Sequence, residues 1–208
     1  MPTTAYPLRL LTAVAAAALL AGAQASAAPA RAASVAAASR NGPDRLHPLV
    51  DLSVRRLATA DVVAAAKWGT GGPVDDPARE QQVLESVARQ ARAAGADPGE
   101  TVRVFREQIE ANKQVQRALH DRWKADPSQA PTLRPGLTEV REEINRVNGE
   151  LVRAIADSAA ARTAPSCDGA LAAAEARVRR HRHLDRLHAT ALTHALRTVC
   201  APGPVRSG

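Results

Sequence analysis

The chain has 208 residues and a mass of 21.8 kDa, with 45% apolar and 24% charged residues, the composition of one folded domain of ordinary size. Tyr6, Trp68, Phe105 and Trp123 are its only aromatics, too few to stack on single-stranded nucleic acid or to wall a sugar cleft. Alanine is abundant and β-branched residues are sparse, which excludes an all-β fold, and a net charge of +7 along a helical chain is too thin for a phosphate-binding stripe.

Residues 1–30 read as an export signal. Arg9 supplies the positive start, residues 10–21 are a continuous apolar run, and small-residue cleavage patterns follow at Ala25-Ser26-Ala27 and Ala28-Pro29-Ala30. About 12 apolar residues cannot cross ~30 Å of hydrocarbon, so no membrane anchor is expected. The mature protein is expected to be periplasmic or secreted, cut between Ala27 and Ala30; the cut removes one base, Arg9, and no acid. Residues 31–43 form an Ala/Ser-rich leader, 44–200 the folded domain and 201–208 a frayed tail.

Within that domain the pattern is helical throughout, with no strand alternation and no internal repeat. A first helix is expected over residues 48–68, stopped by the breaker 69–73. Asp76-Pro77 and Asp97-Pro98 each place an acid at the N-cap and proline at the first helical position, a strong helix start. They open a second helix over 77–94, ending at Gly95, and a third over 98–125. Asp126-Pro127 begins a Pro-rich connector that ends near Gly136. A fourth helix, capped by Thr138, is expected to reach about residue 163, and a fifth to run from about 166 to 199. The whole is an all-α, single-domain bundle of about five to six helices.

The fifth helix carries the densest basic run, Arg179-Arg180-His181-Arg182-His183, which reads as a solvated face. All histidines except His47 and His120 cluster on this helix, without evident acid partners nearby in sequence. Cys167 and Cys200, an isolated pair far from any CxxC spacing, read as a disulfide in an exported chain. Closing a loop of about 34 residues contributes roughly 3–4 kcal/mol on the chain-entropy estimate. The ligand spacing needed for a metal site is missing.

The informative residues are polar groups set into apolar stripes. On the third helix, Val102, Phe105, Ile109, Asn112, Gln116, Leu119 and Trp123 recur at spacings of three and four, an apolar seam with two amides in its middle. On the first, Arg56 and Lys67 share a face with Leu49, Leu52, Ala60 and Val63, about 16 Å apart along the axis. On the fourth, Arg141 and Asn148 sit in a stripe with Leu137, Ile144, Leu151 and Ile155. An unpaired buried charge is far costlier than the 1–3 kcal/mol of an unpaired neutral group. These cations therefore need partners. Asp76, Glu80 or another acid pairs with them in a buried network, or they line a cavity for an anion such as a compact dicarboxylate. Arg79, beside Asp76 and Glu80 on the first turn of the second helix, is not explained by capping and favours the second option. No HExxH, no Ser/His/Asp pattern and no Gly-rich phosphate loop is present.

The string Arg56-x10-Lys67-Trp68, Asp76-x2-Arg79-Glu80, Phe105-x2-Gln108, Asn112-x3-Gln116 resembles the all-helical, AroQ-type chorismate mutases. The export signal, Arg141 on a later helix, Ala164-Pro165-Ser166-Cys167, Arg182-His183-Leu184-Asp185 and Cys200 are similar to the exported gamma subclass of that family, and the resemblance covers about residues 46–200. It implies rearrangement of chorismate to prephenate by a pericyclic reaction of the bound dianion, with no cofactor, no metal and no covalent intermediate. It further implies that Arg56, Arg79 and Arg141 hold the two carboxylates with help from Asn112. Lys67 and Gln116 would donate to the ether oxygen, and Asp76 and Glu80 would position the ring hydroxyl and Lys67. Arg141 takes the place of an arginine that shorter relatives borrow from a partner subunit, and homodimers are common in the family. The chain departs from the pattern in carrying Asn112 where a hydroxyl residue is frequent, Gln116 where some members have Glu, and Val83 where some exported members have Gln. Two alternatives use the same stripes: an isochorismate-pyruvate lyase on this scaffold, and a non-enzymatic exported bundle that binds an anion or a partner.

Overall fold

Aspartates set where the chain turns helical. Asp76 accepts from the Arg79 N–H at 3.0 Å and Asp97 from the Glu100 N–H at 2.7 Å, each satisfying a donor that the first helical turn leaves free. Gly95, at φ +73°, ends the preceding helix as its left-handed cap. In the computed structural model, which describes residues 43–200, the helices are α1 (His47–Lys67), α2 (Pro77–Ala93), α3 (Pro98–Ala125), α4 (Leu137–Asp157), α5 (Ala159–Thr163), α6 (Cys167–His181) and α7 (Arg186–Ala195). Short 3-10 turns cover Pro43–Leu46 and Pro127–Gln129, and no strand occurs among the described residues. The expected export signal, residues 31–42 of the expected leader and the tail lie outside the described residues.

Three expectations about helix limits are corrected. Helix α4 begins at Leu137, not behind a Thr138 cap; Gly136 precedes it without a side-chain cap, and the Glu139 carboxylate folds back into the space a Gly136 Cβ would fill. The long fourth helix breaks at Ser158, whose hydroxyl donates to the carbonyls of Ala154 at 2.6 Å and Ile155 at 3.2 Å, a back-bonding pattern that bends helices. Past the break, buried Arg162 donates to the Val199 carbonyl at 2.9 Å and pairs with Glu100 at 3.2 Å. The fifth helix breaks after His181. His183 takes φ +49°, the Leu184 N–H returns to the Arg179 carbonyl at 3.1 Å, and Asp185 then caps α7 through the His188 N–H at 2.8 Å. Among the described residues, seven α-helices thus stand where five to six were expected.

Helix α1 is the central rod. Its apolar residues Leu49, Val50, Leu57, Ala60 and Ala64 are buried, and it packs against α3, α4, α6 and α7. Helix α2 closes the remaining side by lying on α3 and α4. Phe105, Val115, Leu151, Ile155 and Leu192 fill the centre, all fully buried. Removing the volume of one such side chain, as in Leu151→Ala, costs about 2–5 kcal/mol. A Cys167–Cys200 disulfide with Cα atoms 5.8 Å apart joins the start of α6 to the segment after α7. No helix among the described residues is long and apolar enough to cross a membrane.

Candidate active site

Where α1, α2, α3 and α4 meet, they leave a cavity of about 120 Å³, room for one small molecule and too little for a polymer. Helix α1 contributes Arg56 and Lys67; α2, with the residue before it, contributes Asp76, Arg79 and Glu80. Helix α3 contributes Asn112 and Gln116, and α4 contributes Arg141. All eight residues singled out in the sequence line this one space. Val63, Val74, Val83, Ile109, Leu137, Val140 and Ile144 supply its apolar wall.

Arg56, Lys67 and Arg79 are held by neutral groups. Arg56 is 5% exposed; its Nε donates to Asn148 Oδ1 at 2.9 Å and its Nη1 to the Gln108 carbonyl at 2.7 Å. Burial pushes the Arg56 pKa down to about 10, which leaves it protonated at neutral pH. Lys67 Nζ donates to the carbonyls of Pro73 at 2.7 Å and Val74 at 3.2 Å, in the loop leading to α2. Burial lowers the Lys67 pKa, Asp76 opposes that shift and Arg141 adds to it. Arg79 reaches Gln82 Oε1 at 3.2 Å and Asn145 Oδ1 at 3.4 Å. Arg141 is exposed at the rim. Among the described residues, no carboxylate lies within 4.0 Å of Arg56, Lys67, Arg79 or Arg141.

Both acids on the wall are occupied elsewhere. Glu80 pairs with Lys113 at 3.1 Å, and Asp76 caps α2. Lys113, only 9% exposed, also meets Asp75 at 3.3 Å and Glu110. Burial pulls its pKa down, but the hydrogen bonds that Lys113 donates to Glu110, Glu80 and Asp75 outweigh this and raise it. Gln116 Nε2 donates to Asn112 Oδ1 at 2.7 Å, while Asn112 Nδ2 reaches Thr59 Oγ1 at 3.3 Å. Gln116 Oε1 is buried without a hydrogen-bond partner.

A family model described as chorismate mutase type II matches residues 47–117. A protein named secreted chorismate mutase from Mycolicibacterium smegmatis is 40% identical over 155 residues, 74% of this chain and 86% of that protein. The chain belongs to the chorismate mutase family. A secreted chorismate mutase from Mycobacterium tuberculosis is 35% identical over 167 residues, covering 80% of this chain and 84% of that one. The crystal structure of a chorismate mutase from Burkholderia phymatum superposes with a TM-score of 0.73 at 34% identity, over 77% of this chain and 98% of that chain.

Three residues on or behind the wall of this cavity escaped the sequence reading. Lys113 looks like a surface lysine, yet it stands three residues before Gln116 and four after Ile109, on the inward face, which is the signal that marks it. Asn148 was read as a stripe position without a role, and Gln108 as part of a motif only. Neither spacing reveals that an amide oxygen and a main-chain carbonyl hold Arg56.

Proposed function

We propose that this chain rearranges chorismate to prephenate, with the eight cavity residues as its site. The observation that carries the reading is that, of the five cations lining one small cavity, only Lys113 meets a carboxylate, while Arg56, Lys67, Arg79 and Arg141 have none within 4.0 Å among the described residues. Such a space is complementary to a compact dianion. In this reading Arg56, Arg79 and Arg141 take the two carboxylates and hold the enolpyruvyl arm over the ring, so that the carbon–carbon bond forms as the ether C–O bond breaks. Fixing that folded conformer is an orientation effect. The ether oxygen gains negative charge as its bond to the ring lengthens. Lys67 donates to it, and so does Gln116, whose amide nitrogen carries a second hydrogen beyond the one given to Asn112. Donors fixed before the reaction stabilise that charge without reorganising. Asp76 and Glu80 border the position of the ring hydroxyl, Glu80 with its charge balanced by Lys113. All of this is done by side chains, with no cofactor in the scheme. The relatives named as secreted support export of this chain; removal of residues up to Ala27–Ala30, read from the sequence, and homodimerisation belong to the same reading.

The test is the loss of chorismate ultraviolet absorbance with purified mature protein, measured beside Lys67→Ala. Turnover by the wild type and a drop of about 10²–10³ in kcat/KM for a folded Lys67→Ala variant is the expected result for losing one such donor. Equal rates in the two proteins overturn the site. No turnover of chorismate, with release of pyruvate from isochorismate, replaces the reaction by a lyase on the same scaffold.

A further inference from the structure

Arg56 is buried without a carboxylate, and what it has in place of one is specific. Of its five N–H donors, Nε meets Asn148 Oδ1 at 2.9 Å and Nη1 meets the Gln108 main-chain carbonyl at 2.7 Å. Its guanidinium carbon lies 5.6 Å from the centre of the Phe105 ring. All three neighbours are uncharged. Guanidinium has no acceptor, so the Asn148 amide must present its oxygen to Arg56. Asn148 is itself only 3% exposed and projects from α4, while Arg56 projects from α1 and the Gln108 carbonyl from α3. The planar guanidinium is thereby fixed from two sides.

A buried arginine ordinarily meets an aspartate or glutamate, because an unpaired buried charge is costly. Aspartate has the same shape as asparagine and an equally good acceptor oxygen. It would also cancel the charge of Arg56. We infer that Asn148 is a positioning residue for Arg56, and that its lack of charge is a determinant of dianion binding: it fixes the guanidinium plane while leaving the full positive charge facing the cavity. This rests on the proposed function in so far as the dianion is chorismate. The geometry itself requires only an anion in the cavity.

The test compares Asn148→Asp and Asn148→Ala with the wild type in three measurements: steady-state kinetics on chorismate, calorimetric affinity for a bicyclic dicarboxylate mimic of the transition state, and thermal unfolding. Asn148→Asp keeps the shape and the hydrogen bond, so its Tm is expected to hold or rise. KM, and the Kd of the mimic, are expected to increase about tenfold or more, the effect of adding one opposing charge beside Arg56, with kcat changed much less. Asn148→Ala releases the guanidinium, and kcat, Tm and affinity are all expected to fall. A purely structural asparagine gives the opposite pattern, with Asn148→Asp binding the dianion as the wild type does or losing affinity only in step with Tm; that result overturns the inference. If the wild type binds the mimic but leaves chorismate unchanged, the reaction is wrong, and the affinities of the two variants still decide the role of Asn148. If the wild type binds no dicarboxylate at all, Arg56 faces no dianion and both readings fall.

Discussion

His188 should make the stability of this protein depend on alkaline pH. Its Nε2 lies 3.1 Å from Asp61 Oδ1 on α1 and its Nδ1 lies 2.9 Å from Asp185 Oδ1, the cap of α7. The hydrogen bond to Asp61 is the main cause of a pKa raised from 6.5 to about 9; burial opposes it and Asp185 adds to it. The folded protein therefore holds this proton more tightly than the unfolded chain. The stabilisation is fully present below pH 6.5 and is lost as pH rises through about 9. At face value the difference amounts to roughly 3 kcal/mol. The Asp61 and Asp185 side chains are 49% and 60% exposed, so water screens the pair and about 1–1.5 kcal/mol is a better expectation. Urea unfolding followed by far-ultraviolet circular dichroism between pH 6 and 10 measures it. The wild type should lose that amount relative to His188→Gln across the window, with the two proteins closest in stability at pH 10. Parallel curves for the two proteins would refute the reasoning.

Further outcomes follow from the site and the crosslink. Gln116 is an amide and does not titrate, so the rate should persist above neutral pH. Gln116→Glu should be active only in acid, where the carboxyl keeps a proton to donate, and an unchanged pH–rate profile in that variant removes Gln116 from the ether oxygen. Replacing Cys167 and Cys200 by serine should lower unfolding free energy by about 3–4 kcal/mol, read as a lower urea midpoint, because the bond closes a separation of 33 residues. The kcat/KM of that double variant at 25 °C should stay near the wild-type value, since neither cysteine lines the cavity.

What the sequence made legible was local or periodic. Asp76-Pro77 and Asp97-Pro98 gave helix starts at the residues observed, since a cap and a proline act within one turn. Arg56, Lys67, Asn112, Gln116 and Arg141 were marked as polar groups on stripes that ought to be apolar, and Arg79 as a first-turn cation that capping does not explain; their convergence follows from these faces packing together. What stayed hidden depends on residues far apart in the chain. The break at Ser158 is stabilised by what lies beyond it, with Arg162 reaching the Val199 carbonyl 37 positions away. His194 looked unpartnered because its acid, Glu107, is on α3; His188 meets Asp61 on α1 and also Asp185 three residues before it, a near partner that the sequence reading overlooked. The spacing of Lys113 marked its inward face, but its partners were hidden for the same reason: Glu80 and Asp75 reach it only when α2 folds onto α3.

Arg56 and Lys67 come from α1, Arg79 from α2 and Arg141 from α4, all helices of one chain. A site whose charges arrive this way is complete once its own chain has folded. Its formation is a first-order event, indifferent to how many other copies are near. For a protein bound for surroundings far larger than the cell that makes it, dilution then leaves the charged lining of each cavity intact.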